Sequence, residues 1–339
     1  MTSQTESLVA PSSSLVSDAV ISTPASVPTI PRNVRTEISY YTPPADGASQ
    51  LPIYIKDEKS RVTSKNNFQP VTVYDVRGSG VEHVLDKTGI QFVNYKSMMK
   101  DFDDDATIKE SYYPEIADML YRVTGASKVH IFHHVVRKAH THYLYIKDDD
   151  LLKEEKKEAA RGEVTGASTE KIGESPISAE LQGPVRGAHI DQSYAYAPEL
   201  VKATFPGEEG EKLIKSRFQI INIWRPIKTV FKDPFAVLDA RTVLEEELVP
   251  IRVIYPTYSF ESFNVREPKG REDGGHKWWY MSKQSPEEVL LFKIFDSKTD
   301  GRARRVPHSS FTDQEFEGMD ARQSIEVRAL VFHEEDNVE

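Results

Sequence analysis

The run RGAHIDQSYAYAP, residues 186–198, places two metal-ligating side chains, His189 and Asp191, at positions i and i+2. Successive side chains along a strand alternate sides, so both can reach one cation from the same face. The chain has no cysteine, which excludes thiolate sites, disulfides and a cysteine nucleophile. Any metal must be held by imidazole, carboxylate or backbone oxygen. Two imidazoles and one carboxylate on one face of Fe(II) leave three positions open for a cosubstrate and dioxygen. The third ligand would then be a distant histidine brought close by the fold. His308 in RRVPHSSFTD, a short β-type run near the C-terminus, is the candidate.

About 14 residues further on, ARQSIEVRALVF supplies Arg322 and Ser324, again at i and i+2. A guanidinium fork pairs bidentately with a carboxylate, and a neighbouring hydroxyl adds a further donor. The order His-x-Asp, a gap of roughly 120 residues, His, then Arg-x-Ser is what an iron- and 2-oxoglutarate-dependent dioxygenase requires. Arg225 in FQIINIWRP competes for the carboxylate-binding role, because Pro226 ends its strand where a barrel mouth could lie, and Arg328 competes too. Asn222, Trp224, Tyr194 and Tyr196 are candidates for the substrate pocket. The rival reading of the C-terminal run is a half-exposed strand, with Arg322, Ser324, Glu326 and Arg328 alternating against Ile325, Val327 and Ala329. A second histidine cluster, His133, His134, His140 and His142 in FHHVVRKAHTH, has no interleaved carboxylate and reads as a buried pair with surface neighbours. No zincin helix motif, phosphate-binding glycine loop or nucleophile elbow is present.

Such groups need a rigid β frame. EISYYT, LPIYI and VTVYDV, then KVHIFHHVVR, FQIINIWRP, AVLDAR, VPIRVIY, KWWYMS, EVLLFKIF, RRVPHSSF and SIEVRALVF, are rich in β-branched and aromatic residues and are separated by turn formers. That spacing predicts an all-β barrel or sandwich. Helical spacing of Tyr113, Ile116, Met119 and Leu120 predicts a helix stopped by Gly125, and APELVKATF and EEGEKLIKSR predict two more. Residues 1–31, rich in Ser, Thr, Ala and Pro, read as a disordered arm, and 32–339 as one domain. Within that domain, 147–186 reads as a mobile charged insertion, a candidate lid ending at His189.

With 339 residues and 38% hydrophobic content the chain can bury a large core, while a net charge of −10 argues against nucleic acid as a partner. No apolar run is long enough to span a membrane and no leader is evident, so a cytoplasmic protein is expected, with self-association into a homodimer left open.

From about residue 110 to 333 the chain resembles the CmcJ/AsaB-like family of mainly fungal oxygenases, often labelled hydroxylase/desaturase. HIDQS, FQIINIWRP, EVLLFKIFDS, RRVPHSSF and RQSIEVRALVF carry the resemblance. It implies a mainly β fold with flanking helices around a double-stranded β-helix (jelly-roll, cupin-like) core. It also implies Fe(II) held by His189, Asp191 and His308, with 2-oxoglutarate and dioxygen as cosubstrates and no catalytic residue beyond the ligands. By analogy with related dioxygenases, Arg322 and Ser324 clamp the far carboxylate of 2-oxoglutarate. The implied activity is oxidation of a C–H bond in a small secondary-metabolite or amino-acid-derived molecule, by hydroxylation, desaturation or oxidative cyclisation, with endoperoxide formation also having family precedent. The rival from another class is an iron-free jelly-roll protein that only binds a small molecule.

Overall fold

The computed structural model describes residues 8–9, 21–22, 30–43, 52–54, 67–138, 184–254, 258–271 and 275–338. Most of the 147–186 insertion, together with His140 and His142, lies outside the described residues. Of the N-terminal arm, Leu8–Val9 (β1) pairs with Val129 and Lys128, and Ser22 bridges Asn94.

Two facing sheets form the frame, as expected of a jelly roll. The first runs in the order β1, β6 (Lys128–Arg137), β15 (Ser324–Asn337), β8 (Ser216–Pro226), β13 (Glu288–Asp296) and β5 (Ile90–Asn94). All eleven residues of β8 are buried, because it is a central strand covered on both faces. Strand alternation divides its side chains. Phe218, Ile220 and Trp224 enter the core between the sheets, while Ile221 and Ile223 join a second core behind the first sheet. The same parity governs β15, where Leu330 and Phe332 point inward and Ile325, Val327 and Val331 outward.

The second core is roofed by the helix Tyr113–Thr124, which buries Ile116, Ala117, Met119 and Leu120. Proline at its first turn and Gly125 at its end delimit it. Gly125 takes φ 69°, and its N–H reaches the Tyr121 carbonyl. A π-helical turn, Ile108–Tyr112, precedes the helix. The two short helices expected after His189 form at Tyr196–Thr204 and Glu208–Leu213.

The second sheet carries the histidines. Its order is β2 (Val34–Tyr40), β4 (Asn67–Asp75), β12 (Trp278–Tyr280), β9 (Phe235–Leu238), β14 (His308–Ser310), β7 (His189–Ile190), β11 (Ser259–Val265), β10 (Leu248–Ile254) and β3 (Ile53–Tyr54). Strand β7 is only two residues long, so its neighbours fix its place. Asn264 and Phe263 of β11 pair with His189 and Ile190, and His308 of β14 lies directly opposite His189. Neither β11 nor β5 is among the strands expected from the sequence.

One glycine ties the first sheet to this region. Gly89 has φ +81°, and a Cβ there would stand 2.4 Å from Val306 Cγ2, two residues before His308. Gly89→Ala is expected to lower stability by about 1–3 kcal/mol through left-handed strain and overpacking, read as a lower denaturation midpoint at unchanged m-value.

Candidate metal centre

His189, Asp191 and His308 converge: one ligand atom from each lies within 4.8 Å of the others. Asp191 Oδ1 is 3.5 Å from His189 Nε2 and 3.6 Å from His308 Nε2. The two imidazoles stand opposite each other across the β7–β14 ladder, with centroids 4.3 Å apart and planes tilted by 56°. His189 Nδ1 donates to the Gly187 carbonyl at 2.8 Å, and His308 Nδ1 to the Val306 carbonyl at 3.3 Å. A carbonyl can only accept, so each Nδ1 carries the proton and each Nε2 presents a lone pair to the gap. This donor set fits a divalent metal of the iron type.

Electrostatics agree. Burial, then the neighbouring His308, pushes the His189 pKa down, which keeps the ring neutral. Burial opposes ionisation of Asp191, yet Arg328 above all, with the two histidines, holds its carboxyl well below the usual range. The result at neutral pH is a neutral His189 ring beside an ionised Asp191 carboxylate. Phe235 and Phe292 pack on His308 at centroid distances of 5.6 and 4.9 Å and leave little freedom to the ring.

The three residues line a small cleft shared with Phe235, Ser310 and Arg322. Arg322 is buried. Its Nη1 donates to the Asp233 carbonyl and to Ser310 Oγ, each at 2.8 Å, while its Nε has no partner among the described residues. Asp233 itself occupies the left-handed region, φ 53°. Trp224 stacks on Phe235, 5.0 Å apart and 11° from parallel, and the guanidinium of Arg322 lies 5.4 Å from the Trp224 ring. Burial pushes the Arg322 pKa down to about 9, so the group stays charged at neutral pH, with no ion-pair partner among the described residues.

The other sequence candidates separate by strand parity. Asn222 faces the cleft side, where its Nδ2 donates to Asp191 Oδ2 at 2.8 Å. It supports a ligand rather than lining a substrate pocket. Trp224 is floor beneath Phe235 and Arg322. Arg225 has the opposite parity and is corrected: it points into the second core, where it donates to the carbonyls of Tyr95 and Pro286 and approaches Tyr112 and Glu115. Arg225→Leu is therefore expected to cost about 3–5 kcal/mol of stability, as loss of a buried, fully bonded charge does, while leaving the KM for 2-oxoglutarate unchanged. Ser324 is buried but is not among the cleft-lining residues, whereas Ser310 lines the cleft and bonds Arg322. Ser310 follows His308 by two, so the i, i+2 rule applied to RRVPHSSF would have found it.

Tyr194 and Tyr196 lie beyond the end of β7 and stand off the cleft. Tyr194 donates to Glu245 and packs on Phe263, and Tyr196 packs near Phe260. Of the second histidine cluster, His134 bonds the Tyr113 hydroxyl on the outer face, while His133 sits opposite Arg328 on the ladder, so the two do not share one ion.

Known proteins place this geometry in context. The family described as Oxidoreductase/YMDC permease-like domain matches residues 38–332. Among the described residues no helix is long and apolar enough to cross a membrane. "Hydroxylase/desaturase efuI" of Hormonema carpetanum is 35% identical, over 89% of this chain and 96% of its own length. "Alpha-ketoglutarate-dependent dioxygenase phiK" of a fungal species is 32% identical, over 88% of this chain and 95% of its own. The solved structure of the iron and alpha-ketoglutarate-dependent endoperoxidase NvfI superposes with a TM-score of 0.64, at 24% identity, over 89% of this chain and 98% of that one. This chain belongs to the hydroxylase/desaturase family of non-haem iron, 2-oxoglutarate-dependent oxygenases, and it is an oxidoreductase.

Proposed function

We propose that His189, Asp191 and His308 hold Fe(II), that Arg322 with Ser310 takes the far carboxylate of 2-oxoglutarate, and that the enzyme oxidises a C–H bond of a small molecule. One observation carries the reading: a buried, charged guanidinium whose Nε has no partner among the described residues stands in the same small cleft as three convergent metal-ligand atoms. Such a group is costly to bury alone and is offset when a carboxylate arrives. When bound, iron with 2-oxoglutarate and dioxygen supplies an oxidant strong enough to take hydrogen from carbon, with succinate and carbon dioxide as coproducts.

The chain's own residues do the positioning. The Nδ1–carbonyl bonds hold both imidazoles with Nε2 toward the metal, and the Phe235 and Phe292 rings keep bulk water from one side of His308. Arg322 sets how deep the cosubstrate sits. Hydroxylation, desaturation and oxidative cyclisation then differ only in how the substrate carbon is presented, and the relatives' names span hydroxylase, desaturase and endoperoxidase. Nothing in the donor set favours the iron-free binding protein. Anaerobic addition of Fe(II) and 2-oxoglutarate to the full chain should give the weak visible charge-transfer band of the bidentate chelate. A wild-type protein with no such band is not an oxygenase of this type.

A further inference from the structure

Behind the ligand set lies a second layer of charge that the reading above does not use. Asp191 Oδ2, the oxygen turned away from the histidines, accepts from Asn222 Nδ2 at 2.8 Å and is ion-paired with Arg328 Nη2 at 2.9 Å. An amide N–H and a guanidinium therefore hold the same oxygen. Oδ1 is the atom that faces both Nε2 nitrogens. We propose that Arg328 is a positioning residue: with Asn222 it locks Asp191 Oδ2, so that the carboxylate meets the metal through Oδ1 alone and the adjoining coordination position stays open for 2-oxoglutarate and dioxygen. This rests on the metal-site reading above.

The surroundings fit a device for orientation better than an incidental ion pair. The Arg328 fork is split between two buried carboxylates. Its Nη2 also reaches Glu326 Oε1 at 3.0 Å, and its Nε reaches the same oxygen at 3.2 Å, so the guanidinium plane is fixed from the far side. Strand parity explains the grouping, because Glu326 and Arg328 share the inner face of β15 with Asn222 of β8 directly opposite Arg328. Asn222 Oδ1 has no partner among the described residues, and the side-chain hydrogen bond that holds the amide is the one from Nδ2 to Asp191. His133, opposite Arg328 on β6, adds no charge. Burial, then Arg328, pushes its pKa down to about 3.

A guanidinium beside a divalent cation repels it, so a role as bare charge and a role in orientation predict different things. If Arg328 acted only through charge, removing it would tighten metal binding without changing the metal's surroundings. If it fixes the carboxylate, removing it frees Oδ2 to swing onto the metal and take up a position the cosubstrate needs.

Anaerobic Co(II) titration of the full chain, followed by the d–d absorption spectrum with and without 2-oxoglutarate, separates the two. Arg328→Met is expected to shift the Co(II) spectrum in the direction of higher coordination and to weaken 2-oxoglutarate binding to the Co(II) form by about tenfold or more. Arg328→Lys, which keeps one donor, is expected to return the spectrum toward that of the wild type. Should Arg328→Met fail to fold, Asn222→Ala removes the other donor to the same oxygen, and the same spectral shift is expected. An unchanged spectrum and unchanged 2-oxoglutarate affinity in these variants overturns the proposal while leaving the metal site intact. Tighter Co(II) binding with an unchanged spectrum overturns it in favour of charge alone. A wild-type chain that takes up no Co(II) overturns the metal reading and this inference together.

Discussion

His308→Gln is expected to lose the visible Fe(II)–2-oxoglutarate band and measurable succinate release, with metal affinity reduced by more than about 100-fold, because even residues that merely support a ligand cost 10- to 100-fold. Glutamine is chosen over alanine for a physical reason. His308 is almost fully buried between Phe235 and Phe292 in a three-residue strand, and truncation there would open a cavity costing about 2–4 kcal/mol and confuse metal loss with unfolding. Glutamine keeps most of the volume but offers an amide where a neutral imidazole nitrogen stood. Melting of the metal-free protein reports on the fold, and the band reports on the site. If the variant retains the chelate band at wild-type Fe(II) affinity, His308 is not a ligand, and the convergence with His189 and Asp191 reflects only strand pairing.

Much of this site is legible in the sequence because strand periodicity is a strict rule that short motifs obey. Asp191 lies one residue past the end of β7 but still turns to the side of His189, 3.5 Å from its Nε2, and His308 lies opposite His189 on the adjacent strand. The rule also shows where the sequence reading of Arg225 goes astray. Asn222 and Trp224 have one parity on β8 and Arg225 the other, so Arg225 cannot share their cleft. Tyr194 and Tyr196 lie where the rule no longer applies. β7 ends at Ile190, and the chain turns into the helix beginning at Tyr196. Strand β11, SFESFNV, is harder to foresee. Its serines, glutamate and asparagine dilute the β signal, and it is specified by pairing with β10 and β7, the latter some 70 residues earlier in the chain. The contact between Ser310 and Arg322 is likewise tertiary, since Arg322 precedes its strand and reaches across to β14.

Arg322→Met is expected to leave the metal-free protein close to wild-type stability and the enzyme far poorer, and the contrast between the two is the test. In the wild type the guanidinium is buried, charged at neutral pH, satisfied at Nη1 by the Asp233 carbonyl and Ser310, and unbonded at Nε. Replacing a buried charge with an apolar side chain of similar length commonly gains about 1–4 kcal/mol, and the two hydrogen bonds given up return roughly 1 kcal/mol each. The balance without cosubstrate lies between a loss of about 1 and a gain of about 2 kcal/mol, and methionine can lie against Trp224 and Phe235 as the guanidinium does. The KM for 2-oxoglutarate should rise by about 30-fold or more, the effect of removing one partner of a buried charge pair worth roughly 2 kcal/mol at the least. Addition of 2-oxoglutarate with metal should raise the melting temperature of the wild type far more than that of the variant. Arg322→Lys keeps the charge but not the fork and should fall between the two. A variant that loses stability while keeping its KM would make Arg322 a structural bond to Asp233 and Ser310, and Arg137, which lines the same cleft, would become the cation to test for the cosubstrate carboxylate.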